Sequence, residues 1–287
     1  MLTTSNRLND SKAQESYYNK IVERYMKFCA ASGGGDALDK QFAALSFSST
    51  PSSSLSSSKH APAPAKPPPS ASASTPGPRG ATSTPTPPAN PSAELSTLLA
   101  AMRKLRESIT ATGRRDLFAQ RAYTFIIHST LLLKNWESYH PALLYLLHRI
   151  HPHTPLPEPE LHEMVGFAVL DLACRQGELH EAFLLKARYG YSDRKVEMVL
   201  RALVADNWCV FWRMRRAVDG YQRVLMGFAE EGVRVHALKC LGRSYLNADR
   251  AFVERCAGAE WQKLVGTGVG WELVEGDKVI IRRPKVR

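Results

Sequence analysis

Four histidines, His148, His151, His153 and His162, are the nearest approach to a metal-ligand set in this chain. Imidazoles three or four residues apart on a helix share a face and can grip one cation. His148 and His151 have that spacing. His153 sits among prolines, and no cysteine and no H-E-x-x-H carboxylate completes a set, so no metal is expected. The five cysteines, Cys29, Cys174, Cys209, Cys240 and Cys256, are odd in number and widely spaced, with no C-x-x-C. That spacing argues against a disulfide framework or a zinc site and for a reducing compartment. Most of them fall in apolar helical patterns, where cysteine packs as a small hydrophobe. No G-x-S-x-G marks a nucleophile. Gly266-Thr267-Gly268-Val269-Gly270 lacks the Lys-Ser/Thr of a phosphate loop and precedes alternating residues instead of a helix, so its expected role is to turn the chain. With no nucleophile, base and anion-stabilising donors assembled, neither catalysis nor a cofactor is expected.

Charge is more informative. The chain of 287 residues carries +11, from 38 Lys+Arg against 27 Asp+Glu. Arg213, Arg215, Arg216 and Arg223 fall on one expected helix, and Arg234, Lys239, Arg243 and Arg250 follow. Lys278, Arg282, Arg283, Lys285 and Arg287 close the chain without an acid between them. The segment Lys263 to Arg287 holds six basic residues against three acidic. Lys and Arg gain on phosphate backbones by releasing counterions. An acidic protein would satisfy the same charges. The candidate contacts for RNA, DNA or an acidic partner are Arg234, Lys239, Arg243, Lys278, Arg282, Arg283, Lys285 and Arg287. Trp208, Phe211 and Trp212 begin the same helix that carries Arg213. Aromatics there can stack on bases, but their expected work is structural, closing the core between successive helix pairs.

The elements that must position these residues are read from periodicity. A hydrophobic share of 44% excludes wholesale disorder. The longest apolar run, Leu117 to Leu133, is interrupted by Gln120, Arg121 and His128, so no transmembrane helix and no membrane partner are expected. The N-terminus lacks the apolar core of a secretory signal, and Asp10 and Glu15 come early for a mitochondrial presequence. Nucleus or cytoplasm is the expected location. Residues 1–32 form a first segment with one amphipathic helix over 11–31, capped by Ser11 and apolar at Tyr17, Tyr18, Ile21, Tyr25 and Phe28. Such a helix must dock on the main domain or on a partner. Residues 33–92 read as a disordered linker, since 46–92 hold 12 of the 18 Pro and 14 Ser. Within it Pro67-Pro68-Pro69 suits tethering, or display of a polyproline helix.

Residues 93–231 read as helical pairs. Expected helices cover Ser92–Thr112, Arg115–Asn135, Tyr139–His151, Glu158–Gly177, Leu179–Tyr189, Asp193–Ala205 and Asn207–Glu230, with Asp193 and Asp206 as caps. Pro152, Pro155, Pro157 and Pro159 force an extended connection. Repeated pairs of this size have the texture of an α-solenoid. Residues 232–287 change character. Val233–Leu246 is an expected helix burying Val235, Leu238, Leu241, Tyr245 and Leu246, and short helices at Arg250–Ala257 and Glu260–Val265 follow. Trp271–Val274 and Lys278–Arg282 flank Glu275-Gly276-Asp277, a β-hairpin signal. Three short helices and a hairpin make a winged helix with a basic tail. The expected fold is therefore mainly α, a helical-pair array followed by a C-terminal winged helix with a β-hairpin wing.

That layout resembles the PCI domain shared by subunits of the proteasome lid, the signalosome and translation initiation factor 3, and by GANP-like mRNA-export proteins. The resemblance covers about Ala93 to Arg287 and is closest to the branch of the smallest signalosome subunit, a small lid subunit and the k subunit of the initiation factor. Val196-Glu-Met-Val-Leu-Arg-Ala-Leu-Val-Ala-Asp-Asn-Trp-Cys-Val-Phe-Trp212 is similar to that branch's helix junction. His236-Ala-Leu-Lys-Cys-Leu-Gly-Arg-Ser-Tyr-Leu246 resembles its first winged-helix helix. The Ser/Pro insertion and the separate N-terminal helix depart from compact members. The resemblance implies a non-catalytic scaffold whose partners are other PCI subunits or a small acidic companion protein. In the export branch it also implies nucleic-acid contact in mRNA processing or ribosome biogenesis.

Overall fold

Short polar side chains at the boundaries of apolar runs set where half of the helices start. The structure, a computed structural model, describes residues 8–31, 91–274 and 277–283. Asp116, Asn135, Asp193, Asn207, Asp219 and Asp249 each accept a hydrogen bond from a first-turn N–H and start a helix. Twelve α-helices result among the described residues: α1 (Ser11–Ala31), α2 (Pro91–Ala111), α3 (Leu117–Leu132), α4 (Trp136–Tyr145), α5 (Glu158–Leu170), α6 (Leu179–Arg188), α7 (Arg194–Val204), α8 (Trp208–Ala217), α9 (Gly220–Met226), α10 (Glu230–Ser244), α11 (Arg250–Ala257) and α12 (Trp261–Gly266). The chain is mainly helical, with one small antiparallel sheet. The expected linker, including Pro67-Pro68-Pro69, lies outside the described residues, apart from the first residues of α2.

Two compact units divide the chain, residues 20–100 and residues 1–19 with 101–287. In the smaller, Ile21, Phe28 and Leu98 are buried, and Arg24 approaches Glu94 at 3.8 Å. In the larger, the start of α1 lies against α2 and α3. Gln14 is fully buried, and its Nε2 donates to the carbonyls of Leu8 and Ser108 and to the Thr112 hydroxyl. Tyr18 meets Phe118 and Phe125 edge-on, each at 5.6 Å. Arg114 closes the seam by donating to Glu15 at 2.6 Å, to Asp116 at 2.8 Å and to the Ser11 carbonyl at 3.2 Å.

The centre of the larger unit is α3, apolar nearly all round as expected, with Tyr123, Ile126, Ile127 and Leu131 buried. Helices α4 and α5 each end in a π-helical turn, Leu146–Ile150 and Asp171–Gln176. Gly177 then takes φ +76, a left-handed conformation that costs glycine little, and reverses the chain into α6.

Two expectations fail here. The single helix expected over Asn207–Glu230 is two helices, with α10 beginning only at its last residue. Val218 is extended and Asp219 caps a new start, so α9 leaves at an angle that α8 alone would not give. Asp206 is not a cap: it sits at φ +50, and the neighbouring Asn207 does the capping. Beyond its sequence neighbours, α9 packs back on α3 and α5. Tyr221 of α9 lies 4.7 Å from the His128 ring and 5.7 Å from Phe167, while Leu225 and Met226 are fully buried.

The last part runs α10, β1 (Asn247–Asp249), α11, α12, β2 (Glu272–Val274) and β3 (Lys278–Ile280), with strands in the antiparallel order β1-β3-β2. Ala248 and Leu273 both face Val279 in register. Leu241, Val253, Cys256, Ala257, Trp261, Leu264 and Val279 form its core. Of the residues expected to be buried on α10, Leu241 is in the core and Leu238 packs partly buried against it, while Arg234 and Ala237 complete the buried stripe. Val235, Tyr245 and Leu246 are 37%, 43% and 45% exposed. The helix stops at Ser244 and Tyr245 turns extended, which takes the last two off the helical stripe. Strand β1 was not anticipated, because Asn-Ala-Asp carries no β signal of its own. The glycine run ends α12, with Gly268 at φ +89.

Candidate functional site

The basic residues separate into three groups once their surroundings are known. Arg234 is buried and works inside the fold, which corrects its reading as a surface contact. Its Nε donates to the Ala257 carbonyl at 3.1 Å, its Nη1 to Glu231 at 2.6 Å, and its guanidinium lies 5.7 Å from the Trp212 ring centre. It is a strut between α10 and α11. Arg283 is exposed but paired with Glu272 at 2.6 Å. Lys239, Arg243, Lys278 and Arg282 are exposed. Lys239 and Arg243, four apart on α10, share a face. The Arg282 guanidinium donates to the Arg243 carbonyl at 3.5 Å and so joins them. None of these three makes an ion pair among the described residues. The strip they form is therefore a positive surface with no ion-pair partner among the described residues. Lys278 stands opposite Asp249 and Val274 in the sheet register. Lys285 and Arg287 lie outside the described residues.

Along α8 to α10, Arg215 pairs with Glu230, and Arg223 donates to the carbonyls of Arg215 and Val218. Arg213 and Arg216 are exposed without an ion pair among the described residues. The aromatics next to them are used in packing. Phe211 and Trp212 are 1% and 4% exposed and meet edge-on at 5.1 Å. Trp212 Nε1 donates to the Cys256 carbonyl at 2.9 Å, which ties α8 to α11. Gly258 makes room for it: at φ +62, an added Cβ would lie 2.4 Å from the indole. Trp208 is half-buried against the C-terminal core.

Strand β2 is an edge strand, bonded only to β3 among the described residues, and all three of its residues are exposed. Leu273 and Val274 are 41% and 43% exposed. An edge of this kind offers unpaired N–H and C=O groups beside apolar side chains.

The histidines do not converge. His151 Nδ1 accepts from the Leu156 N–H at 3.1 Å, His162 bonds the Ser192 carbonyl at 3.0 Å, and His153 contacts Arg115. Among the described residues no group of three or more His, Cys, Asp or Glu side chains is placed to hold a metal. Cys174 and Cys256 are buried, Cys29 and Cys240 half-buried and Cys209 exposed. Burial, with the charge of Asp171 adding to it, pushes the Cys174 thiol up to about 12. No described helix is long and apolar enough to cross a membrane.

A buried polar node was missed in the sequence. The Asp171 side chain is 1% exposed and opens the π turn after α5. It accepts from the Tyr139 hydroxyl at 2.6 Å, from Arg175 Nε and Nη2 at 2.6 and 2.7 Å, and from Gln176 at 2.8 Å. His140 Nδ1 lies 3.0 Å away. Arg175 also covers the Trp136 ring at 5.0 Å. Burial raises the Asp171 pKa, but the Arg175 and Tyr139 hydrogen bonds and the Arg175 charge outweigh it and hold the group below its ordinary value. Both carboxylate oxygens are saturated, so the group braces α4 against α5 and has no lone pair left to act as a base. The signal was present: one acid, four residues before an arginine, ends the apolar run Met164 to Leu170.

No protein-family model matches this chain, and no curated protein matches it.

Proposed function

We propose that the chain is a non-catalytic, PCI-type scaffold subunit of a larger complex, of the proteasome lid, signalosome, initiation-factor or export kind. The observation that carries the reading is the edge strand β2, with Leu273 and Val274 uncovered at the end of a helix–strand–helix–helix–strand–strand module. That order supports reading this part as a winged helix, with β2 and β3 as its wing. The helical pairs before it and the aromatic junction of α7 and α8 support the same reading. A subunit that adds its edge strand and basic strip to other PCI subunits, or to a small acidic companion, needs no active site. Purification of the tagged full chain from its cells is expected to recover fixed-ratio partners. Leu273→Asp is expected to lose them while the melting temperature stays within about 2 °C, since an exposed position away from the core changes stability little. Recovery of the wild-type chain only as a free monomer would overturn the reading.

A second reading, nucleic-acid binding in mRNA processing, export or ribosome biogenesis, is favoured by the strip of Lys239, Arg243 and Arg282. Three phosphate contacts on a single strand predict a log–log salt slope of about −2. Reversing the three residues to Glu is expected to abolish RNA retention. Binding that ignores salt would reject this reading.

A further inference from the structure

The two π-helical turns belong to different helices, yet they border one cleft. π turns are rare and concentrate at functional sites. The cleft is a groove of about 380 Å³ between α4 and α6, floored by α5, a size that suits a small molecule. Its walls are aliphatic: Leu143, Leu144 and Leu147 on one side, Leu184 and Leu185 on the other. Leu144 and Leu184 are 40% and 50% exposed, so the apolar lining opens to solvent. The two ends differ in charge. At one, His140 and Gln176 are engaged with the saturated Asp171 carboxylate, and Glu181, in the first turn of α6, lines the same groove. At the other, Arg188 faces His148. Burial lowers the His148 pKa, and the Arg188 charge lowers it further, so the imidazole offers a neutral hydrogen-bonding edge beside a fixed cation. Arg188 makes no ion pair among the described residues. Glu181 precedes it by two helical turns, about 10 Å along the axis.

We propose that this groove binds a short linear carboxylate, with its anionic head on Arg188 and its alkyl chain along the leucines. Glu181 at the far end repels the head group, so a single orientation is selected. Three probes with the same tail separate head from tail: octanoate, octanol and octyltrimethylammonium, each titrated calorimetrically into the full chain. Octanoate is expected to bind one to one, octanol at least about tenfold more weakly for want of the charge-assisted bond, and the cation not at all. Arg188→Gln is expected to bring octanoate down to the octanol level and leave octanol unchanged. Leu184→Trp, at an exposed position that the fold tolerates, is expected to block both, with melting curves verifying that each variant is folded. No octanoate binding, equal binding of octanoate and octanol to the wild type, or octanoate binding that survives Leu184→Trp would each overturn the proposal. The titration reads the isolated chain, so its failure leaves the scaffold reading untouched.

Discussion

Asp171→Ala is expected to destabilise the protein by about 3–5 kcal/mol, because it strands a half-buried arginine and a buried tyrosine hydroxyl at once and frees the Gln176 amide. For a folded region of this size each kcal/mol moves the melting temperature by about 2–4 °C, so the loss should be plain in a thermal scan. The same carboxylate gives a pH signature. Its folded pKa lies below its ordinary value. Its contribution is therefore complete above the unfolded pKa, near 4, and is lost as pH falls through the folded value. Wild type should lose stability steeply in that acid range, and the variant much less. Urea midpoints measured from neutral pH down to about pH 3 test this. Equal acid slopes in the two proteins would show that the node contributes nothing through its charge.

Trp212→Ala is expected to cost about 3–5 kcal/mol, since a buried aromatic is removed along with its bond to the Cys256 carbonyl. The indole is also what Gly258 was made small to admit. Gly258→Ala forces a Cβ against the ring at a left-handed φ, and about 2–4 kcal/mol of strain and overpacking is expected. The two effects are coupled. In the Trp212→Ala background, Gly258→Ala should retain only its backbone cost of about 1–2 kcal/mol. Urea unfolding of the four proteins forms a double-mutant cycle, and strict additivity would contradict the contact.

Much of the helical order was legible because amphipathic stripes and N-cap side chains are local. Asp193, the helix Arg250–Ala257 and the apolar face of α3 declare themselves in the sequence. What was not legible depends on distant partners. Strand β1 exists only because β3 pairs with it. Arg234 reads as a surface cation until Ala257 and Glu231 surround it. The break at Val218 is written in Asp219-Gly220, but the direction of α9 is set by His128 and Phe167, far back in the chain. In the candidate site, Lys239, Arg243 and Arg282 were singled out by charge density, but that they lie together on one exposed strip depends on the strand β3 that brings Arg282 to α10. The Asp171 node was hidden because a lone acid in an apolar run has no motif, only an arginine one turn on.

The return of α9 also sets a timetable for synthesis. Tyr221 is made more than ninety residues after His128 and more than fifty after Phe167. At about 5–20 residues per second, the α3 face waits about 5–20 s on the ribosome for its cover. During that interval the nascent helices expose apolar surface that a chaperone can hold. The array should therefore lock as a whole only after α9 emerges, rather than helix by helix as it is translated.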